Sequence, residues 1–330
     1  MPTSSTQGRY VLAQLMQAHT GCPVSVETLE MVAEGASGRC IMRSSLSECQ
    51  GIIGIYWTPD RADNGSFLSA AHGLRRAGVR VPHVLAELDC GGGCGACLVQ
   101  DLGKKSLLSL RDEPWAVRRA AYESALSMLH RFHQVQPSWE LQPPFDAALY
   151  RWEQGYFAEH FLGRHLGVPE AAALPQDAAW RELADWLEQL PRRPLHRDFQ
   201  SQNIMLYEGE AWFIDFQGMR MGRPEYDVAS LVYDPYMELR SDELAELLEL
   251  WSGVIVAPLQ EDVFAACALQ RLMQALGAFA NIGYNAHNSW YLSLIPAGVR
   301  SLLQICAATP PHSPAARLAS CLSSLVTSSN

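Results

Sequence analysis

The chain is 330 residues long, which allows roughly two domains or one two-lobed domain, with a core large enough to need no disulfide or metal. Apolar residues make up 48% and charged residues 18%, the proportions of a globular chain rather than a disordered or coiled-coil one. The net charge of −10 argues against non-specific binding to nucleic acid or to an acidic membrane, since both need a basic surface.

In chain order, residues 1–8 are rich in Ser and Thr and read as a loose end, and residues 9–20 have helical apolar spacing stopped by Gly21 and Pro23. The run MVAEGASGRCIMR places a small-residue turn between two short apolar segments, the pattern of a β-hairpin. GIIGIYW reads as a buried strand, FLSAAHGLRRAG as a helix closed by Gly78, and VPHVLAELD with ACLVQDLG as two strands joined by a glycine-rich turn. From Trp115 the period becomes helical, in WAVRRAAYESALSMLHRFHQV and again in AAWRELADWLEQL. Strands return as PLHRD, NIMLYEGE and AWFIDF, and the remainder is helical up to a Ser/Thr/Pro/Ala-rich end over 310–330. This order gives an α+β chain with a β-rich N-lobe over 9–102, a mostly helical C-lobe over 103–309 and a loose C-terminal tail over 310–330.

The nine cysteines are odd in number and scattered among apolar neighbours, so reduced intracellular thiols are expected rather than a disulfide framework. Cys90, Cys94 and Cys97 border a run of glycines; structural zinc wants four ligands, and a glycine-rich turn with incidental cysteines is the better reading. The N-terminus lacks a basic-then-apolar leader, and the best apolar run, around 250–259, is interrupted by Gly and Pro. A cytoplasmic chain without nucleic-acid or membrane partners is therefore expected.

The densest chemical signal is LHRDFQSQNIMLYEGEAWFIDFQ. A carboxylate that orients an acceptor hydroxyl and takes its proton, together with oxygen ligands that hold Mg²⁺ against phosphates, is what phosphoryl transfer requires. Asp198 supplies the first part; Asn203 and Asp215 supply the second. His196-Arg197-Asp198 followed by Asn203 matches the H-R-D-x-x-x-x-N pattern, while the later D-F-G position reads D-F-Q. Asp227, in GRPEYDVASL, fits either a helix N-cap or a support for the backbone of the catalytic loop, with His196 beside that backbone.

These stretches resemble the aminoglycoside phosphotransferase-like branch of the protein-kinase fold. Within it they are most similar to bacterial anomeric sugar kinases acting on N-acetylmuramate and N-acetylglucosamine. The resemblance rests on FLSAAHGLRRAGVRVPHVLAEL, LVQDLG, LHRDFQSQNIM, IDFQGMRMGRPEYDVASLVYDPY and LQRLMQALGAFANIG, across about residues 35–300. It implies a two-lobed protein-kinase-like fold with ATP between the lobes, ATP as phosphoryl donor and Mg²⁺ as cofactor. The acceptor it implies is a small-molecule hydroxyl, most specifically the anomeric hydroxyl of a cell-wall amino sugar. Another metabolite acceptor (an aminoglycoside, choline or homoserine) and a non-catalytic pseudokinase stay open. The third-strand lysine of protein kinases has no counterpart in GIIGIYW, nor has its glutamate partner in the helix after it. Phosphate contacts would then come from Mg²⁺, from the Gly35–Gly38 turn including Ser37 and Gly38, and from Arg39 or Arg43. Gln100, Asp101 and Leu102 would meet the adenine through their backbone. Asp234, Tyr233 and Tyr236 are the candidates for a sugar pocket, because hydroxyls need acceptors and the C–H face of the ring needs an apolar platform.

Overall fold

The computed structural model describes residues 4–34, 39–254 and 260–328. The chain begins with helix α1 (Ser4–Thr20), so residues 4–8, read as a loose end, are helical. Leu12 and Met16, four apart and fully buried, pack α1 into a cluster with Met42, Tyr56 and Leu98. That face belongs to a five-stranded antiparallel sheet of β1 (Leu29–Glu34), β2 (Cys40–Ser44), β3 (Ile52–Trp57), then helix α2 (Phe67–Arg76), then β4 (Val84–Gly91) and β5 (Cys94–Gln100). The strand order is β1-β2-β3-β5-β4. β3 is central and buried along its whole length, which is why GIIGIYW is a continuous apolar run rather than an alternating one. Gly54 lets α1 lie close, since a Cβ there would stand 2.9 Å from Leu12 Cδ2. The β4–β5 turn uses three glycines at positive φ, Gly91, Gly92 and Gly93.

The helical part runs through α3 (Trp115–His133), α4 (Ala147–Phe157) with a π-helical continuation over Ala158–His165, and α5 (Ala178–Gln189). Short strand β6 (Arg193–Leu195) precedes the hairpin β7 (Ile204–Tyr207) and β8 (Glu210–Phe213), and β9 (Arg220–Gly222) returns to pair with β6. Then follow α6 (Pro224–Val232), α7 (Ser241–Val254), α8 (Glu261–Asn285), α9 (Ser289–Ser293), α10 (Ile295–Ala308) and α11 (Ala316–Ser328). The chain forms two compact units: residues 1–106, 135–142 and 204–218 make the first, and 107–134, 143–203 and 219–330 the second.

Two expectations are corrected. The 310–330 segment is not a loose tail: Leu318, Leu322 and Val326, at intervals of four, are fully buried, and they carry α11 onto its neighbours. Apolar runs of membrane-spanning length do occur, Glu261–Asn285 and Ser289–Ala308, judged by length and composition. The apolar window of the first is 89% buried, as a helix apolar all round must be at the centre of a helical unit.

A polar node lies inside that unit. Glu153 on α4 is fully buried and accepts hydrogen bonds from Tyr226 Oη (3.2 Å) and Gln270 Nε2 (3.1 Å). Burial pushes its carboxyl up to about 7, against the pull of Arg197, of the Gln270 bond, of Arg271 and of Tyr226. The folded form therefore holds its proton where the unfolded chain has lost it. The stabilisation is full below pH 4.5 and is lost as pH rises toward 7. Glu153→Gln, which cannot ionise, is expected to gain about 3 kcal/mol on the wild type between pH 5 and pH 8. Urea midpoints at the two pH values check this; parallel pH profiles would refute it.

Candidate active site

The loop after β6 carries the HRDxxxxN residues, and two carboxylates pin it. Asp227, in the first turn of α6, accepts the His196 N–H on Oδ2 and the Arg197 N–H on Oδ1, both at 2.8 Å. Its Oδ2 also lies 3.0 Å from His133 Nε2 on α3. Asp227, His196 and His133 are all buried. This fixes Arg197 at φ +79°, a left-handed conformation that costs a non-glycine residue about 1–3 kcal/mol and persists only where its surroundings enforce it. Further along, Asp234 accepts the Ser201 N–H on Oδ2 (2.7 Å) and the Tyr236 N–H on Oδ1 (3.0 Å). Asn203 Nδ2 donates to the Asp198 carbonyl at 2.9 Å, a bond that uses the amide nitrogen and not its oxygen.

Asp198 is half-buried on this loop. Burial opposes its ionisation, but the positive field of Arg197, Arg271, His196 and Arg220 outweighs that and holds the carboxyl below its ordinary value. Arg271, buried on α8, donates to Ser230 and Gln274 and, at 3.3 Å, to Gln200 Oε1 beside the loop. Arg271 is not singled out by the sequence, which weighs His133 with His130 as a ligand pair and reads it as a packing or solvent-facing histidine; its burial against Asp227 makes it the former. An arginine inside the apolar run LQRLMQALGAF was the available signal for Arg271.

Asp215 lies in the first unit, directly after the β7–β8 hairpin, at φ +62°. Its Oδ1 accepts from Arg39 Nη2 (2.7 Å) and from Gln217 Nε2 (2.9 Å). The Arg39 side chain is 4% exposed and the Asp215 side chain 42%. Gln217, standing where D-F-G has glycine, thus contributes a second donor to Asp215. Phe216 is anchored by stacking on Phe67 of α2 at 5.3 Å.

The other expected nucleotide residues divide. Ser37 and Gly38 lie outside the described residues. The Gln100 N–H donates to the His83 carbonyl and the Asp101 N–H to the Gly51 carbonyl, each at 2.8 Å, so both donors serve the sheet rather than a base. The Asp101 carboxylate is occupied by Arg43 (2.5 and 2.7 Å) and by the Gly103 N–H (2.8 Å). Leu102 is buried, and none of these bonds engages its backbone. Arg43 is accordingly half of an ion pair that braces the segment after β5.

Of the sugar-pocket candidates, Tyr233, Asp234 and Tyr236 are all buried. Both Asp234 oxygens hold backbone N–H groups, so this residue shapes the loop rather than offering acceptors. Tyr236 is covered by Trp290, stacked at 5.6 Å with planes 9° apart, and Trp290 keeps 47% of its surface exposed. Trp290 was missed from sequence, where SWYLSL read only as helix.

Asp215 in the first unit carries a carboxylate and Asn203 in the second an amide oxygen, hard oxygen donors both. Among the described residues no group of three or more His, Cys, Asp or Glu forms a cage for a metal. Hard oxygens of this kind suit Mg²⁺, which keeps waters and completes its shell with phosphate oxygens, rather than zinc.

Comparison with known proteins follows the same line. The family model described as phosphotransferase enzyme family matches residues 58–262. An N-acetylmuramate/N-acetylglucosamine kinase of Pseudomonas aeruginosa is 32% identical over 258 residues, 74% of each chain. A protein of the same name from Neisseria meningitidis is 25% identical, over 84% of this chain and 85% of its own. Among solved structures, a choline/ethanolamine kinase family protein from Mesorhizobium loti superposes with a TM-score of 0.60 at 16% identity, over 97% of this chain and 99% of its own. A Streptomyces rimosus aminoglycoside phosphotransferase, solved with ADP and streptomycin, gives 0.56 at 16% identity, over 83% and 99%. The fold is protein-kinase-like α+β.

Proposed function

We propose, from the premise that the chain belongs to the phosphotransferase enzyme family and is a small-molecule kinase, that it transfers the γ-phosphoryl group of ATP to the anomeric hydroxyl of a cell-wall amino sugar. The observation that carries this reading is the Asp198 loop: a carboxylate held below its ordinary pKa chiefly by the guanidinium groups of Arg197, Arg271 and Arg220, on a backbone held by Asp227. Asp198 orients the acceptor hydroxyl and takes its proton. An anomeric hydroxyl is more acidic than an ordinary alcohol, so a base of lowered pKa suffices, and most of the barrier falls to positioning and charge neutralisation. Asn203 and Asp215 supply oxygens to Mg²⁺, which when bound neutralises charge on the phosphates. Arg39 in the first unit and the backbone at Leu102 serve the nucleotide; Trp290, backed by the buried Tyr236, offers an aromatic face to the sugar. Nine free cysteines and a nucleotide donor suit a cytoplasmic enzyme.

The acceptor is supported by the relatives' names, and the test is direct. With ATP, N-acetylmuramate or N-acetylglucosamine is expected to give a product that no longer reduces copper, because phosphorylation at the anomeric oxygen prevents ring opening. The 1-O-methyl glycoside, lacking that hydroxyl, is expected to be inert. Phosphorylation of the methyl glycoside, or a reducing product, would reject the anomeric assignment. Turnover of choline or an aminoglycoside but of neither sugar would support the second reading. No turnover of any acceptor despite nucleotide binding would support a pseudokinase.

A further inference from the structure

The Arg39–Asp215 pair is unusual in its placement. Asp215 is the one carboxylate assigned to the metal, yet its Oδ1 already accepts two donors, one of them a guanidinium. Arg39 is almost completely enclosed, and its Nε is buried without a hydrogen-bond partner among the described residues. Arg39 directly precedes β2, within the same compact unit as Asp215 and the lysine-free strand β3.

We infer that Arg39 is a resident counter-ion for Asp215, which a divalent cation must displace and which then passes to the phosphates of the nucleotide. This rests on the ATP and Mg²⁺ reading above. A bare dication that took the Asp215 oxygen would leave a guanidinium enclosed beside a second positive charge, without an anion. An unpaired buried charge is strongly unfavourable, so the metal alone binds poorly. A phosphate arriving with the metal gives the guanidinium a new anionic partner in the bidentate geometry it favours, and offers an acceptor to the free Nε. Metal and nucleotide therefore strengthen one another through Arg39, and by reciprocity each does so by the same factor. On this account Arg39, directly before the neighbouring strand β2, takes over the phosphate contact that the absent third-strand lysine would make.

The test uses the full chain, with Mn²⁺ as probe and free Mn²⁺ followed by its electron spin resonance, and separately ADP affinity by calorimetry with and without Mg²⁺. Wild type is expected to bind bare Mn²⁺ weakly and ADP much more tightly when Mg²⁺ is present. Arg39→Met is expected to tighten bare Mn²⁺ binding and to shrink the Mg²⁺ enhancement of ADP affinity, each by roughly 5- to 150-fold, the usual span of such couplings. Arg39→Lys, shorter and without the planar fork, is expected to tighten bare Mn²⁺ while keeping most of the enhancement. It also decides the matter should Arg39→Met not fold. Asp215→Asn is expected to remove the Mn²⁺ site in every background. Unchanged Mn²⁺ affinity and unchanged enhancement in the folded Arg39 variants would overturn the role of Arg39 while leaving the kinase reading intact. A wild type that binds no Mg²⁺·ADP would overturn both.

Discussion

Asp198→Asn is expected to lower turnover by roughly 10²- to 10⁴-fold, the range of a lost general base, while leaving Mg²⁺·ADP affinity close to wild type. The substitution is isosteric, and the bonds that shape the loop are made by the Asp198 carbonyl, by Asp227 and by Asp234, not by the Asp198 side chain. The effect should therefore fall on kcat rather than on folding. Asp198 must be ionised to act. Burial raises its pKa, but Arg197, Arg271, His196 and Arg220 bring it below the ordinary carboxylate value. The acid limb of the pH–rate profile should accordingly lie below pH 3.8 for this group, with no loss attributable to Asp198 between pH 5 and 8. Single-turnover rates with saturating nucleotide separate chemistry from binding. Wild-type turnover in the variant would remove Asp198 from the role.

Much of this architecture is legible in the sequence where residues close together make the signal. The five strands of the sheet follow from short apolar runs between turn residues, and HRDxxxxN is a local pattern. The supports of the loop are a different matter. Asp227 and His196 are 31 positions apart, and Asp234 and Ser201 are 33 apart, so no spacing rule joins them. Asp234 accordingly looked like a sugar ligand. Arg39 and Asp215 are 176 positions apart, and only folding shows that one neutralises the other. Helix α4 was missed because its buried face includes Glu153 and Gln154, polar residues that break the apolar period and are satisfied only by partners on other helices. Helix α11 was missed for the opposite reason: its stripe of Leu318, Leu322 and Val326 is thin among Ala and Ser, a composition shared with tails.

Asp227→Ala is expected to cost both stability and catalysis, and the two losses can be separated. The variant leaves the His196 and Arg197 N–H groups without their acceptor and His133 without its carboxylate, all in buried surroundings. An orphaned buried donor costs about 1–3 kcal/mol, a large part of the 5–15 kcal/mol that holds a typical domain folded. The strained φ of Arg197 then loses the bond from its N–H to Asp227, and its relaxation moves the next residue, Asp198. A shift of about 1 Å at a positioned group is enough for a 10²-fold loss of rate, so turnover should fall by at least that factor even where the variant is fully folded. Measuring kcat well below the melting transition, with circular dichroism confirming the folded fraction, isolates this part. Asp227→Asn keeps one carbonyl oxygen for a backbone N–H and should fall between the two in both stability and rate. If Asp227→Ala folds and turns over like the wild type, the loop is held by other contacts, and the link drawn from Asp227 through Arg197 to Asp198 is wrong.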